Sequence, residues 1–245
     1  LTCLNVALIV LALSGLSLQR DMYASSFSYA LVIDSSRSME ATDFNPSRIE
    51  AAKENSINFI NKAGPGARVG VVTFSGNAFV EKEISEDMVE VKQVIRDISL
   101  SKLGGTDILD AIVSSTNLLM DEKNRAIIIL SDGQFNVGDI EEAISYAKKN
   151  DVTIFSIGIG TERGGETSFG LSTLEQDSLR AIAYNTNGKY FLAANGEELN
   201  EAFNDILLFK FRNVTSDMTY NLLMIVIISL VLEFWLVNTR YKVLP

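Results

Sequence analysis

Short apolar runs that alternate with amphipathic segments constrain the fold of this 245-residue chain more than any other feature. The clearest run is residues 126–130 (AIIIL), and residues 27–34 (FSYALVID) and 153–159 (TIFSIGI) are nearly as apolar. A strand without polar alternation is buried on both faces, as strands are in parallel sheets covered by helices. The pattern therefore predicts an α/β fold with a doubly wound, mostly parallel central sheet and helices on both faces.

The remaining elements follow from local signals. Ser47 and Glu50 form a capping box that predicts a helix start, and the glycines and proline of residues 64–66 predict its end. Thr106 is predicted to cap another helix. Further helices are predicted at residues 89–98, 107–120, 140–149, 178–186 and 197–210, further strands at 68–74, 77–84 and 189–193, and a long loop at 161–172. In such a sheet, ligands bind at the carboxyl ends of the strands, near the point where the strand order reverses.

Apolar segments at both ends predict membrane anchoring. No small-residue cleavage site precedes Asp21, so the first segment is interpreted as an anchor or an uncleaved signal. The predicted organisation is an N-terminal transmembrane anchor at 1–20, a domain at 21–212, a juxtamembrane linker at 213–220, a C-terminal transmembrane helix at 221–238 and a short basic tail at 239–245. Arg240 and Lys242 follow the second segment, which favours a cell-membrane protein whose domain lies on the extracytoplasmic side.

The composition excludes several classes of function. The chain has no histidine, which excludes a Ser-His-Asp hydrolase, and its one cysteine, Cys3, excludes a thiolate metal cluster. Residues 21–220 hold 18 basic and 30 acidic residues, a net charge of −12. An acidic surface disfavours binding to nucleic acid, because phosphate backbones are themselves anionic. No nucleic-acid partner is therefore expected.

A D-x-S-x-S pattern follows the first predicted strand of the domain, with Asp34, Ser36 and Ser38 at alternate positions. In an extended loop such residues point the same way, so that one carboxylate and two hydroxyls can converge. Hard oxygen donors of this kind suit Mg²⁺. By itself the pattern is also typical of a polar loop that caps the next helix, and this alternative stays open.

Two further polar residues lie at the same predicted sheet edge. Thr106 follows two glycines and precedes a helix, and Asp132 follows the most apolar strand. Taken singly, each has an ordinary structural interpretation: a helix N-cap for Thr106, and a turn after a strand for Asp132. Together with the D-x-S-x-S pattern, they predict one metal site assembled from three loops.

With these three motifs the sequence resembles the von Willebrand factor A family, in the form that carries a metal-ion-dependent adhesion site. The resemblance implies five metal-site residues: Asp34, Ser36, Ser38, Thr106 and Asp132. It also implies bound Mg²⁺, with Mn²⁺ or Ca²⁺ as alternatives, and a protein partner that supplies an Asp or Glu carboxylate to the metal. Residues 34–54 (DSSRSMEATDFNPSRIEAAKE) more narrowly resemble Bat-type aerotolerance membrane proteins of prokaryotes. Arg37 departs from the pattern, because small residues are frequent there.

The leading hypothesis is a membrane-anchored binding module and not an enzyme, which mediates a divalent-metal-dependent protein interaction as an assembly or scaffold factor of the cell envelope. The terminal helices would provide the membrane contact. The alternative is a Mg²⁺-dependent phosphatase of the haloacid dehalogenase type. Such enzymes need a second acid two residues after the first, where this chain has Ser36, and a hydroxyl is a poor general acid.

Overall fold

The computed structural model describes residues 17–23, 28–63, 66–161, 163–208, 210–217 and 219–240. The chain divides into two compact units. The larger unit is Tyr23–Phe209, and the smaller unit combines Leu1–Met22 with Lys210–Pro245. All five residues of the predicted metal site belong to the larger unit.

Strands and helices alternate along the larger unit, as the sequence predicts. The described strands of the chain are β1 (Ser17–Tyr23), β2 (Ser28–Asp34), β3 (Arg68–Phe74), β4 (Ala78–Ser85), β5 (Arg125–Ser131), β6 (Thr153–Ile159), β7 (Gly165–Thr167), β8 (Gly170–Ser172), β9 (Tyr190–Ala193) and β10 (Lys210–Asp217). The described helices are α1 (Arg48–Lys62), α2 (Met88–Asp97), α3 (Ile108–Leu118), α4 (Ile140–Lys149), α5 (Gln176–Asn185), α6 (Gly196–Leu208) and α7 (Thr219–Arg240), with a short 3-10 helix at Arg37–Glu40.

A six-stranded sheet in the order β4-β3-β2-β5-β6-β9 forms the centre of the larger unit. Its strands are parallel except β4, which runs antiparallel to β3. The chain moves outward from β2 to β4 on one side and then from β5 to β9 on the other. The strand order therefore reverses between β2 and β5, where the following loops leave a crevice at the carboxyl ends.

Helices cover both faces of this sheet, which confirms the predicted α/β architecture. One face packs against α3, α4 and α5 in a cluster of buried residues that includes Val32, Ile112 and Ile129. On the other face, the ring of Phe59 on α1 packs against Tyr29 of β2 and against Phe203 of α6. Every residue of β2 is buried, in agreement with its continuous apolar sequence.

The structure corrects several predicted details. The N-cap of α3 is Asp107 and not Thr106, because the Asp107 side chain accepts a hydrogen bond from the backbone N–H of Asp110. The last helix of the larger unit ends at Leu208, and the long predicted loop contains the hairpin of β7 and β8. Ser47 does cap α1, as predicted, by accepting from the Glu50 backbone N–H.

The smaller unit contains β1 and β10, which pair in a two-stranded sheet, and the helix α7. Residues 210–217 are thus a strand, whereas the sequence predicts a linker from residue 213. Among the helices that the structure describes, none has the combined length and hydropathy of a membrane span. Most of the predicted N-terminal anchor, residues 1–16, and most of the basic tail, residues 241–245, lie outside the described residues.

Candidate metal centre

The carboxyl ends of β2 and β5 place two acidic residues side by side. Asp34 is the last residue of β2, and Asp132 directly follows Ser131, the last residue of β5. The two Asp34 oxygens accept from the Ser36 backbone N–H (2.8 Å) and from the Ser131 hydroxyl (2.6 Å). Because β2 pairs with β5, the last residue of β5 lies close enough to orient the Asp34 carboxylate.

Three hydroxyl-bearing residues line an open cleft of about 160 Å³ above these carboxylates: Ser36, Ser38 and Thr106. The Oγ atoms of Ser36 and Ser38 are 2.9 Å apart. The Thr106 backbone N–H donates to the Asn136 side chain at 2.8 Å, which ties the threonine loop to the segment after β5. Asn136 and Gln134 also line the cleft, so polar atoms converge there from three loops.

The side chains of Asp34 and Asp132 are both fully buried, which affects the ionisation of Asp34. Burial, followed by the nearby charge of Asp132, raises the pKa of Asp34 to about 7 from its ordinary value of 3.8. Hydrogen bonds from Ser131 and Ser36 oppose this shift without cancelling it. A cation held between the carboxylates and the hydroxyls would relieve the repulsion, so the residues present fit a divalent metal.

The donor set is low in charge. Among the residues that the structure describes, no three acidic or cysteine side chains form a metal-binding group. Only the two carboxylates carry charge, and the other donors are neutral hydroxyls. Mg²⁺ sites of this kind keep several waters. Such an arrangement leaves room for an oxygen from another molecule.

A fully buried arginine, Arg48 at the start of α1, stands behind the site. Its Nε and Nη2 atoms donate to the two oxygens of Asp43, each at 2.8 Å, and its Nη1 donates to Asp132 Oδ2 at 2.8 Å. The hydroxyl and carbonyl oxygens of Ser172 accept two more bonds, each at 2.9 Å. All five N–H groups of the guanidinium are thereby used, and one oxygen of Asp132 is committed to Arg48.

Asp43 completes this buried network. Burial opposes its ionisation, but hydrogen bonds from Arg48 and from the Thr161 backbone outweigh that cost and hold the pKa of Asp43 below its ordinary value. The sequence alone favours a helix-terminal role for Asp43, with assistance to the metal site as the alternative. Instead, it joins the loop before α1 to the loop after β6 through Arg48 and Thr161.

Of the five predicted site residues, Ser36, Ser38 and Thr106 line one cleft, whereas Asp34 and Asp132 are buried at the strand ends from which its loops leave. Sequence reasoning does not identify Arg48, Ser131, Asn136 or Ser172 as neighbours of the site. One signal for Arg48 is present in the sequence, since a basic residue in the first turn of a helix faces the positive end of the helix dipole. That mismatch indicates a compensating acidic partner, which only the fold can identify.

Arg37, the departure from the family pattern, lies at the rim of the cleft. Its guanidinium carbon lies 4.5 Å from the ring centroid of Phe169, at the turn between β7 and β8, and its Nη2 contacts the Lys102 carbonyl at 3.4 Å. The side chain thus spans from the D-x-S-x-S loop to the hairpin.

Comparisons with known proteins identify the domain family. The family model described as "von Willebrand factor type A domain" matches residues 30–205. A UPF0353 protein of Nocardia farcinica is 27% identical over 233 residues, which are 84% of this chain and 70% of that protein. One from Mycobacterium sp. (strain KMS) is 31% identical over 191 residues, which are 71% of this chain and 57% of that protein, so the chain spans little more than half of its length.

Solved structures show the same fold. BatB of Bacteroides thetaiotaomicron (TM-score 0.66) and an aerotolerance-related membrane protein of Bacteroides fragilis (TM-score 0.67) are each 25% identical, covering 74% of this chain and 98% of theirs. A proximal thread matrix protein from the mussel byssus, whose MIDAS motif is occupied by zinc, is 23% identical with a TM-score of 0.63, covering 77% of this chain and 47% of that one. On the match to the family model, the chain belongs to the von Willebrand factor type A domain family.

Proposed function

We propose that this chain is a membrane-anchored module that binds a protein partner through a divalent metal ion. The observation that carries the proposal is the buried pair of Asp34 and Asp132 behind an open cleft lined by hydroxyls. Arg48 forms an ion pair with Asp132 only, and Asp34 is left with neutral donors and a raised pKa. A cation in the cleft would stabilise the charged form of Asp34, and the open cleft gives a partner access to that cation.

Asp34, Ser36, Ser38, Thr106 and Asp132 would hold the ion. Mg²⁺ is the proposed metal because all of these ligands are oxygens and two of them are carboxylates, with Mn²⁺ or Ca²⁺ as alternatives. The mussel protein, which shares the fold, carries zinc in its MIDAS motif and so supports a divalent ion in this place. When bound, the metal would supply a vacant coordination position for a partner's Asp or Glu carboxylate.

The proposed setting is the cell envelope, with the domain on the extracytoplasmic side and an assembly or scaffold role. Two observations support it: the apolar segments at both ends of the chain, and the similarity to a protein that is itself described as a membrane protein. The exposed apolar side chains of α7, among them Ile228 and Phe234, would provide one membrane contact. Nothing in the site favours the alternative phosphatase, which would need an acid where Ser36 stands.

The metal part of the proposal is tested by titrating the purified full chain with Mg²⁺ and Mn²⁺ in a calorimeter. The parent protein and an Asp121→Ala control, changed at an exposed carboxylate, should bind one ion, whereas Asp34→Ala should not. Equal affinities for Asp34→Ala and the parent would contradict the site. The partner part is tested by crosslinking in native membranes, where the crosslinked product should disappear when a chelator is added.

A further inference from the structure

The hairpin formed by β7 and β8 carries two exposed apolar side chains beside the metal cleft. Phe169 is 70% exposed and Leu171 is 66% exposed. An exposed phenylalanine on a surface as acidic as this one is unusual, because its burial would be favourable in water. These side chains indicate a surface that another molecule covers.

Hydrogen bonds hold the tip of the hairpin in place. Thr167 Oγ1 donates to the Gly170 carbonyl at 2.7 Å and accepts from the Phe169 backbone N–H at 3.2 Å. Ser168 donates to the Glu40 carboxylate, which lies two residues after the last serine of the D-x-S-x-S motif. Phe169 is therefore presented by a preorganised turn and not by a loose loop.

The base of the hairpin is connected to the metal centre itself. Ser172, the last residue of β8, donates to Asp132 Oδ2 at 3.1 Å and accepts from Arg48 Nη1 at 2.9 Å. Its hydroxyl also accepts from Gln134, which lines the cleft. Phe169 and the proposed metal ligands consequently belong to one hydrogen-bonded assembly.

Two more exposed apolar side chains lie in or near the cleft. Leu103 lines the cleft and is 47% exposed, and Val137, which packs near Gly105, is 43% exposed. Arg37, which lines the cleft, is exposed, and so is Lys102, whose backbone carbonyl accepts from Arg37 Nη2. Among the residues that line the cleft, Arg37 alone is charged, so in a region with a net charge of −12 the cleft is a local surface that favours an acidic ligand.

We propose that the surface formed by Arg37, Leu103, Phe169 and Leu171 recognises an extended partner segment in which an acidic residue is next to an aromatic or large aliphatic residue. This inference rests on the proposed function, because the acidic residue is the one that would reach the metal. The neighbouring apolar side chain packs on Phe169, and Arg37 contacts both the ring and the acidic segment. The hairpin thereby determines which acidic segments bind.

The size of the effect follows from the area that binding would cover. Burying one large apolar side chain strengthens binding by roughly 10-fold to 100-fold. Truncation of Phe169 should therefore weaken the binding of a cognate peptide by about that factor while leaving metal binding unchanged. Loss of Arg37 should weaken binding less, and in a manner that depends on salt, because its charge is exposed.

The test is selection of a phage library of random peptides on the immobilised full chain in Mg²⁺, with elution by a chelator. We expect peptides with an Asp or Glu beside an aromatic or large aliphatic residue. Phe169→Ser should lose the preference for the apolar residue and keep the preference for the acid. Val89→Ser, at an exposed valine on α2 that does not line the cleft, should retain both.

The outcomes separate the two proposals. Chelator-eluted peptides that contain an acid but no apolar neighbour, unchanged by Phe169→Ser, overturn the role of the hairpin and leave the metal-dependent module intact. Enrichment that is the same in Asp34→Ala as in the parent overturns the metal-dependent function and this inference with it. The effect of Arg37→Gln on selected peptides is compared with Arg96→Gln, which alters an exposed arginine on α2. If the two variants bound the selected peptides with equal affinity, Arg37 would not be part of the recognition surface.

Discussion

Asp34 illustrates, at the scale of one residue, how a candidate metal ligand can lower the stability of its own domain. Its pKa is raised to about 7 in the folded chain, against an ordinary value of 3.8 in an unfolded one. Between these values the folded state binds more protons than the unfolded state. The free energy of unfolding therefore falls as pH rises through this window.

We expect the metal-free chain to be more stable near about pH 5 than near about pH 8, and expect Asp34→Asn to lose most of that difference, because the amide does not ionise. Denaturant unfolding in the presence of a chelator measures both variants. Asp121→Asn, at an exposed carboxylate, serves as the control and should behave like the parent. A pH dependence that is identical in Asp34→Asn and the parent would show that Asp34 titrates normally.

Gly133 is the residue that allows Asp132 to face the site. Its φ is +76°, and a Cβ there would lie 1.9 Å from the Glu175 carbonyl oxygen. The same Glu175 donates its backbone N–H to the Asp132 carbonyl at 2.8 Å, so a shift of one displaces the other. Gly133→Ala should therefore destabilise the chain and weaken Mn²⁺ binding together.

Gly66→Ala is the matched control for that change. Gly66 has a similar φ of +84°, but a Cβ there meets nothing within 4 Å. Gly66→Ala should lower the free energy of unfolding only by the left-handed backbone strain, about 1–2 kcal/mol. Gly133→Ala should lower it by more than about 3 kcal/mol. Unfolding and calorimetric titration report the two effects. Equal costs and intact metal binding would contradict the assigned role of Gly133.

At the scale of elements, Arg48 joins the start of α1 to the loop after β5 and to the end of β8. Its removal leaves Asp43 and Asp132 as buried charges without their partner. Breaking a buried ion pair in this way typically costs about 3–5 kcal/mol. We expect that loss in Arg48→Met, measured by denaturant unfolding near neutral pH.

Arg48→Lys should recover only part of the stability, because an ammonium group has three donors in place of five in a planar fork. Arg96→Met, on the exposed side of α2, is the control and should change the free energy of unfolding by less than about 0.5 kcal/mol. If Arg48→Met were as stable as Arg96→Met, the network would contribute nothing to the packing of α1.

At the scale of the whole molecule, the proposed membrane anchoring can be tested together with its orientation. Arg240 and Lys242, beyond the last apolar segment, favour a cytoplasmic C-terminus, and the domain would then be outside. Protease added to spheroplasts should digest the domain, while inverted vesicles should protect it. The reverse pattern would place the domain in the cytoplasm.

At this scale the fold itself was predictable from local patterns. Continuous apolar runs such as β5 can bury both faces only in the interior of a parallel sheet. Their sequence therefore indicates their place without knowledge of the neighbouring strands. Asp34 and Asp132 follow such runs directly, and a residue that follows a parallel strand lies at the ligand-binding edge. For that reason Asp34 and Asp132 could be placed at this edge from their positions in the chain, whereas the full set of five candidate ligands came from the resemblance to the family.

Contacts between distant segments were not predictable in this way. The bond from Ser131 to Asp34 joins residues 97 positions apart, and that from Arg48 to Asp132 joins residues 84 apart. Both depend on β2 and β5 being neighbours and on where α1 and β8 meet their loops. An arginine at a helix start and a serine in a hairpin can have many structural roles, and local sequence periodicity does not indicate which role applies. Sequence could therefore indicate which residues would reach the edge of the sheet, whereas the strand order and side-chain packing determine what supports them there.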